Sequence, residues 1–293
     1  MAAHVPAAGE LVLDHIAHYV PDLAAAAQAL QALGFSVTPV SEHRTQHGPR
    51  GTSNVCVMLE HGYLEILGPT AGTAETPETR RLHDALARYR GVHLACFGTP
   101  AAEEEQARLA AHGFNPPEMV ALSRQTEVGL AQFKVVRAAT EAMPEGRVQF
   151  CQHLTPDVVW HPKWMDHANG VKALACVFVV ADDPPAVAAR WAHYAALLPL
   201  PAGNFVQLRT ARGDVLVGKR ADWEALFGDV EPSAPALAGY ALECNDPDAL
   251  AERATLAGAA VRKLRKDLYA AALPPALAAN WVFGTASALA LGR

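Results

Sequence analysis

The sequence has no long basic run, no extended apolar stretch and little charge of either sign. Asp, Glu, Lys and Arg make up 18% of its 293 residues, and the formal net charge is −6. That balance lacks the electrostatic footprint of a nucleic-acid partner. The longest apolar run, residues 173–181, is far short of the roughly 20 residues that cross a bilayer, so no membrane partner is expected. No G-x-G-x-x-G, P-loop or G-x-S-x-G pattern occurs, which leaves dinucleotides, ATP and a serine nucleophile without support. No basic segment leads into a long apolar one near Met1, so a secretory signal is not expected. The five cysteines are an odd number, and Cys56, Cys96, Cys151 and Cys176 lie in apolar, strand-like segments. They read as buried free thiols in a cytoplasmic protein. Aromatic residues are only 7%, but hydrophobic residues reach 51%, enough for a sizeable core.

What the chain does contain is an internal repeat. Residues 13–35 and 91–114 each open with a short strand carrying histidine at its third position, His15 and His93. An aromatic follows four residues later, Tyr19 and Phe97. Each segment then turns into an Ala-rich helix, with Asp22 and Thr99 as candidate N-caps and Gly34 and Gly113 as candidate C-terminal stops. Strand candidates follow at 36–40, 54–59 and 62–67 in one unit. In the other, a Pro-broken stretch precedes 130–138 and 147–154. Both units read strand–helix–strand–strand–strand. The outline recurs more weakly after residue 170, with one or two closing strands expected over 281–291, giving four βαβββ units of an α+β protein. The expected halves are 1–160 and 161–293, joined near 155–170. Residues 262–279 fit the repeat poorly and suggest an inserted helix or lid.

A polar side chain on the apolar face of a buried strand needs a partner. The repeat puts four at matching places: His15, Glu65, His93 and Gln152, the last two strands aligning as YLEIL and FCQHL. A lone buried histidine is ordinarily a hydrogen-bonded core residue. Two in register with a carboxylate point to a metal site, suiting Zn, Ni, Fe or Mn, with the Gln152 amide as a weak fourth ligand. His153 is the alternative to Gln152 if the register slips by one. Asp14 and His18 are expected to face away from the site. Asn54 begins an inward strand, where it either bonds a substrate carbonyl or holds its loop. Trp160, His161 and Trp164 lie in the join, available to cover a cavity mouth or to pack between halves.

These residues resemble the vicinal oxygen chelate superfamily. LDHIAHYVPDL, then His47-Gly48, Gly51-Thr52, Asn54 and GYLEIL, is similar to the glyoxalase-like domain family over about residues 11–160. The resemblance implies paired units curving into two cups. A divalent metal would sit in the first, on His15, Glu65, His93 and Gln152, with His47 and Asn54 toward substrate. It also implies a metal-dependent isomerase, lyase or dioxygenase that chelates vicinal oxygens of a small molecule, with Glu65 as catalytic base. In glyoxalase I a glutamate stands where Gln152 does, and a carboxamide cannot take up the proton of that isomerisation. The second half carries Ala175 and Gly239 at the ligand positions, so it is expected to be scaffold or cavity wall. The rival reading is a metal-free protein that binds a small ligand on the same fold. Four units in one chain are compatible with a monomer or a homodimer.

Overall fold

A computed structural model describes residues 4–228, 230 and 232–290. The first unit comprises β1 (Val12–Tyr19), α1 (Leu23–Ala32), β2 (Ser41–Thr45), β3 (Gly48–Met58) and β4 (Tyr63–Pro69). α2 (Pro77–Arg88) leads to the second: β5 (Gly91–Gly98), α3 (Ala102–Ala111), β6 (Val120–Thr126), β7 (Gly129–Arg137) and β8 (Arg147–His153). A link with the one-turn helix α4 (Pro156–Val159) reaches the third: β9 (Val171–Val180), α5 (Pro184–Ala195), β10 (Pro199–Ala202), β11 (Phe205–Arg209) and β12 (Asp214–Gly218). α6 (Arg220–Phe227) precedes the fourth: β13 (Ala236–Cys244), α7 (Pro247–Leu256), β14 (Ala260–Arg265), β15 (Leu268–Ala272) and β16 (Asn280–Gly284).

Local chemistry explains the recurring strand-to-helix turns. The Asp22 carboxylate accepts from the amides of Ala24 and Ala25, and the α1 helix stops before Gly34 at φ +85°. The four βαβββ units build two eight-stranded curved sheets. The first closes as a barrel, β1-β4-β3-β2-β6-β7-β8-β5, and the second runs β10-β11-β12-β9-β13-β16-β15-β14. In each, the first strand of a unit pairs parallel with its last, and the first strands of the two units pair antiparallel.

Three expectations change. No strand forms at 36–40; the second strand is β2, starting at Ser41. Residues 262–279 hold no inserted helix or lid: β14 and β15 form an ordinary hairpin of the fourth unit, with a turn closed by Leu277 N–H to Pro274 O. The last strand ends at Gly284, short of 291, which lies outside the described residues. The helix α2, unforeseen in the repeat, starts at a reciprocal cap between Thr76 and Thr79 with Pro77 in its first turn.

One apolar core runs through both halves. Ile16, Val57, Ile66 and Phe97 of the barrel's outer face share it with Val177, Val179, Leu237 and Tyr240. Backbone hydrogen bonds cross as well, from Leu13 N to Arg212 O at 2.8 Å and from Leu174 N to His61 O at 2.9 Å. A second apolar cluster, including Ala17, Tyr19, Cys56, Tyr63, Leu94 and Phe133, lines the barrel interior. No helix among the described residues is long and apolar enough to cross a membrane.

Candidate functional site

Strand alternation sends His15, Ala17 and Tyr19 of β1 into the barrel, together with Tyr63 and Glu65 of β4. Asn54 and Cys56 of β3 face the same space. All seven are buried. Across β3 and β4, Cys56 is the backbone partner of Glu65, and across β1 and β4, Ala17 is. His43 enters from β2 at a break in its register with β3.

The polar groups converge on Glu65. Its Oε1 accepts from Asn54 Nδ2 at 2.6 Å and lies 3.4 Å from His43 Nε2; its Oε2 is 3.8 Å from His15 Nε2. Burial alone would favour the neutral acid. The hydrogen bond and field of His43 outweigh it, aided by His15 and Asn54, and lower the Glu65 pKa to about 2. Each imidazole is fixed from its other side. His15 Nδ1 donates to Asp14 Oδ2 at 2.6 Å, and His43 Nδ1 lies 3.2 Å from Thr52 Oγ1. His15 Nε2 is thereby left toward Glu65, and His43 Nε2 toward Glu65 and the Asn54 amide nitrogen, 3.1 Å away.

Asp14 also receives His153 Nε2, at 3.1 and 3.0 Å from its two oxygens. Burial opposes charge on both partners, but each outweighs it for the other. Asp14 is held well below the usual carboxylate range by His153 and His15, while Asp14 and Cys151 raise His153 to about 10. Arg124 on β6 is buried in the same interior. Burial works against its charge, but the facing Cys56, Tyr63 and Glu65 keep it protonated. Its guanidinium carbon lies 5.8 Å from the centre of the Phe133 ring. Trp160 is buried at the His153 end of the barrel, its ring centroid 4.6 Å from that of His153 and 5.9 Å from that of Tyr63.

The structure thus brings His15, Glu65 and Asn54 together and leaves three other expected residues elsewhere. His93 sits at a bulge: Ala17 faces Leu94 and His18 faces Val92, so His93 has no partner in the pairing with β1. Its ring stacks between Tyr19 and Tyr89, with Nε2 2.9 Å from Tyr89 O. Gln152 points out of the barrel, opposite Lys134. Its Oε1 accepts from Ala102 N at 3.2 Å and its Nε2 donates to Pro100 O at 2.8 Å, so it caps α3. His153 is the inward residue of that pair. His47 lies exposed in the β2–β3 turn. Asp14, expected to face away, is 1% exposed and turned inward by a bulge between Leu13 and His15. His18 does face away, meeting Leu277 O and Tyr240 Oη.

The alignment of repeats did not single out His43 or Arg124, turned Asp14 away from the site and kept His153 only as the alternative to Gln152. The strand pairing supplies the true correspondence. Glu65 is level with Ala17 on β1, and Gln149 is level with Cys96 on β5. Gln149, rather than Gln152, therefore stands in the second unit near the place of Glu65. The pair Asp14-His15 was the one available signal, an acid beside a histidine on an otherwise apolar strand.

The donor types of His15, His43 and Glu65 suit a divalent ion, although the two imidazoles approach different Glu65 oxygens and the three donor atoms do not all lie within 4.8 Å of one another. Donors bound at about 2.0–2.2 Å to a tetrahedral ion lie roughly 3.4 Å apart, near the spacing of both imidazoles from Glu65. Three buried polar atoms of the interior, Asn54 Oδ1, Gln149 Oε1 and His153 Nδ1, have no hydrogen-bond partner. Two tighter groups, Asp14–Cys151–His153 and Asp14–His15–Cys96, each hold their donor atoms within 4.8 Å of one another. In both of these the Asp14 oxygens are bound by imidazoles, whereas His15, His43 and Glu65 are the wider set and share one carboxylate between two imidazoles.

The glyoxalase-like domain pattern matches residues 13–195, more than half of the chain. The chain belongs to the glyoxalase-like domain family. No curated protein matches it in sequence. Among solved structures, a hypothetical protein from Staphylococcus aureus superposes with a TM-score of 0.62 at 14% identity, over 94% of this chain and 99% of that one. A mutant of 4-hydroxymandelate synthase from Streptomyces coelicolor gives 0.58 at 12% identity, over 97% of both. The Mn(II)-bound glyoxalase from Novosphingobium aromaticivorans gives 0.55 at 9% identity, over 93% of this chain and 81% of that one. At such identities the likeness is one of fold, and the fold is that of the vicinal oxygen chelate proteins.

Proposed function

We propose that this glyoxalase-like barrel is a metal-dependent enzyme site, with His15, His43 and Glu65 as ligands, acting on a small molecule with adjacent oxygens. The observation that carries this reading is the pair of imidazoles tied at Nδ1, one to Asp14 and one to Thr52, with Nε2 left toward one anionic carboxylate. Two histidines and a carboxylate suit Zn, Ni, Mn or Fe and leave coordination positions open. Such an ion, when bound, polarises substrate oxygens as a Lewis acid. The chain's own groups do the rest. Asp14 holds the His15 tautomer, Asn54 orients Glu65, and buried Arg124 offers a fixed positive charge to negative charge developing on a substrate oxygen. Buried Trp160 and Tyr63 keep bulk water from the His153 end of the barrel.

Isomerase, lyase and dioxygenase chemistry remain the candidate reaction types. A two-carboxylate isomerisation of the glyoxalase I kind is disfavoured, because the second unit offers the amide of Gln149. Elemental analysis of the untagged protein after metal loading should give about one equivalent of divalent ion per chain. His43→Ala and Glu65→Gln should lose it, and His93→Ala should keep it. A wild-type protein that takes up no metal under any loading condition would replace this reading with the metal-free ligand-binding one.

A further inference from the structure

The end of the barrel beneath α2 has a polarity that the metal reading does not use. β7 ends at Arg137 and β8 begins at Arg147. By alternation, Arg137 shares the inward face with Val135 and Phe133, and Arg147 with Gln149 and Cys151. Both are half-buried. The Nε of each is buried without a hydrogen-bond partner, and neither guanidinium pairs with a carboxylate among the described residues. Arg50 of β3 and Arg81 of α2 lie close by, and both bind one acid, Glu78, at 2.5 and 2.7 Å. Four arginines therefore gather at this end with one carboxylate, which is bound by two of them, in a chain whose net charge is −6. Burial, then the fields of Arg147, Arg50 and Arg81, depress the Arg137 pKa to about 9. Arg137 pairs with Gln149, two residues along β8 from Arg147, so two half-buried guanidiniums leave one face as diagonal neighbours, which is costly to fold unless an anion offsets them.

The register ties this cluster to the metal ligands. Glu65 pairs with Ala17, Ala17 with Leu94, and Leu94 with Arg147, so Glu65 and Arg147 stand on one rung of the barrel, three strands apart. Leu82 of α2 joins the interior cluster of Tyr19, Leu67, Leu94 and Val135 and so roofs this end.

We propose that Arg137 and Arg147, assisted by Arg50, form an anion subsite at the α2 end of the barrel. The molecule bound there carries a carboxylate or phosphate group in addition to its metal-facing oxygens. Arginine's planar fork suits either group. The substrate class rests on the metal-site reading, whereas the anion subsite stands on the arginines themselves.

The test uses the full-length protein, with orthophosphate and malonate as probes in calorimetric titrations at low ionic strength and chloride as control. Wild type is expected to bind at least one probe, and the tighter of the two names the group. Arg137→Met and Arg147→Met should each weaken it at least tenfold, and Arg147→Lys less. Thermal midpoints in chloride should stay level or rise in the Met variants, since each removes a guanidinium crowded by others, which separates lost binding from lost folding. A wild type that binds neither probe, or Met variants that bind like wild type, would overturn the proposal. Metal content measured on the same samples separates the two readings. Arginine-dependent anion binding without metal removes the metal centre and keeps the subsite, and metal without arginine-dependent anion binding does the reverse.

Discussion

His15 and His93 look alike in sequence and have opposite fates. His15 is anchored by Asp14, which fixes its proton on Nδ1. Asp14→Asn should therefore lower divalent-metal affinity about 10–100-fold while the ligands remain, measured by chelator competition; unchanged affinity would detach Asp14 from the centre. His93 is a buried neutral wedge, and burial lowers its pKa to about 4. Unfolded histidine titrates near 6.5, so between these values the unfolded chain takes up a proton that the folded chain refuses. Stability is then full above about pH 6.5 and falls as pH drops toward 4, by about 1.4 kcal/mol per unit for each such group. His18, also buried, with a pKa of about 4, acts in the same direction. Urea midpoints between pH 7 and 5 should fall in wild type and fall less steeply in His93→Phe, which keeps the stacking; His18, His4 and His167, all with pKa values lowered by burial, supply the remaining slope. Equal slopes would assign the proton uptake elsewhere.

At the scale of elements, β-bulges decide which side chains enter the barrel. The extra residue at Asp14 turns a carboxylate inward, and the one at His93 takes an imidazole out of the alternation. In β8 the choice between neighbours falls the other way from the aromatic-and-leucine alignment: His153 lines the interior and Gln152 serves α3. That helix has no side-chain cap of its own at Ala101, so Gln152 takes that part from across the gap. Gln152→Ala should cost about 1 kcal/mol, the usual worth of an N-cap. Gln152→Glu should leave the metal dissociation constant unchanged, because the side chain points out of the barrel. Tighter metal binding in Gln152→Glu would contradict the observed register.

At the scale of the molecule, the two halves differ in chemistry and share one core. Of 13 histidines, only His193 lies beyond residue 170. Gly239, at a position where a ligand would otherwise stand, has φ +151°, and a Cβ there would overlap the Asn280 carbonyl oxygen. Gly239→Ala should therefore destabilise the chain by at least ~2 kcal/mol. Because the apolar core is continuous across the halves, far-ultraviolet circular dichroism and tryptophan fluorescence should report one common transition, shifted together in this variant. Two separated transitions would show that the halves fold independently.

The sequence by itself determined the repeat, the four βαβββ units, the family, and the place of His15, Glu65 and Asn54. Each of these rests on local periodicity, capping chemistry and an unbroken strand register, all of which are written in consecutive residues. Only the tertiary structure decided the remainder of the site. His43, Arg124 and His153 come from strands far apart in the chain and meet because the barrel closes. His93 and Gln152 leave because a bulge and a neighbouring helix end claim them. A one-residue shift in a strand reverses every side chain beyond it, and what sets that shift is the pairing with distant strands rather than the residues of the strand itself.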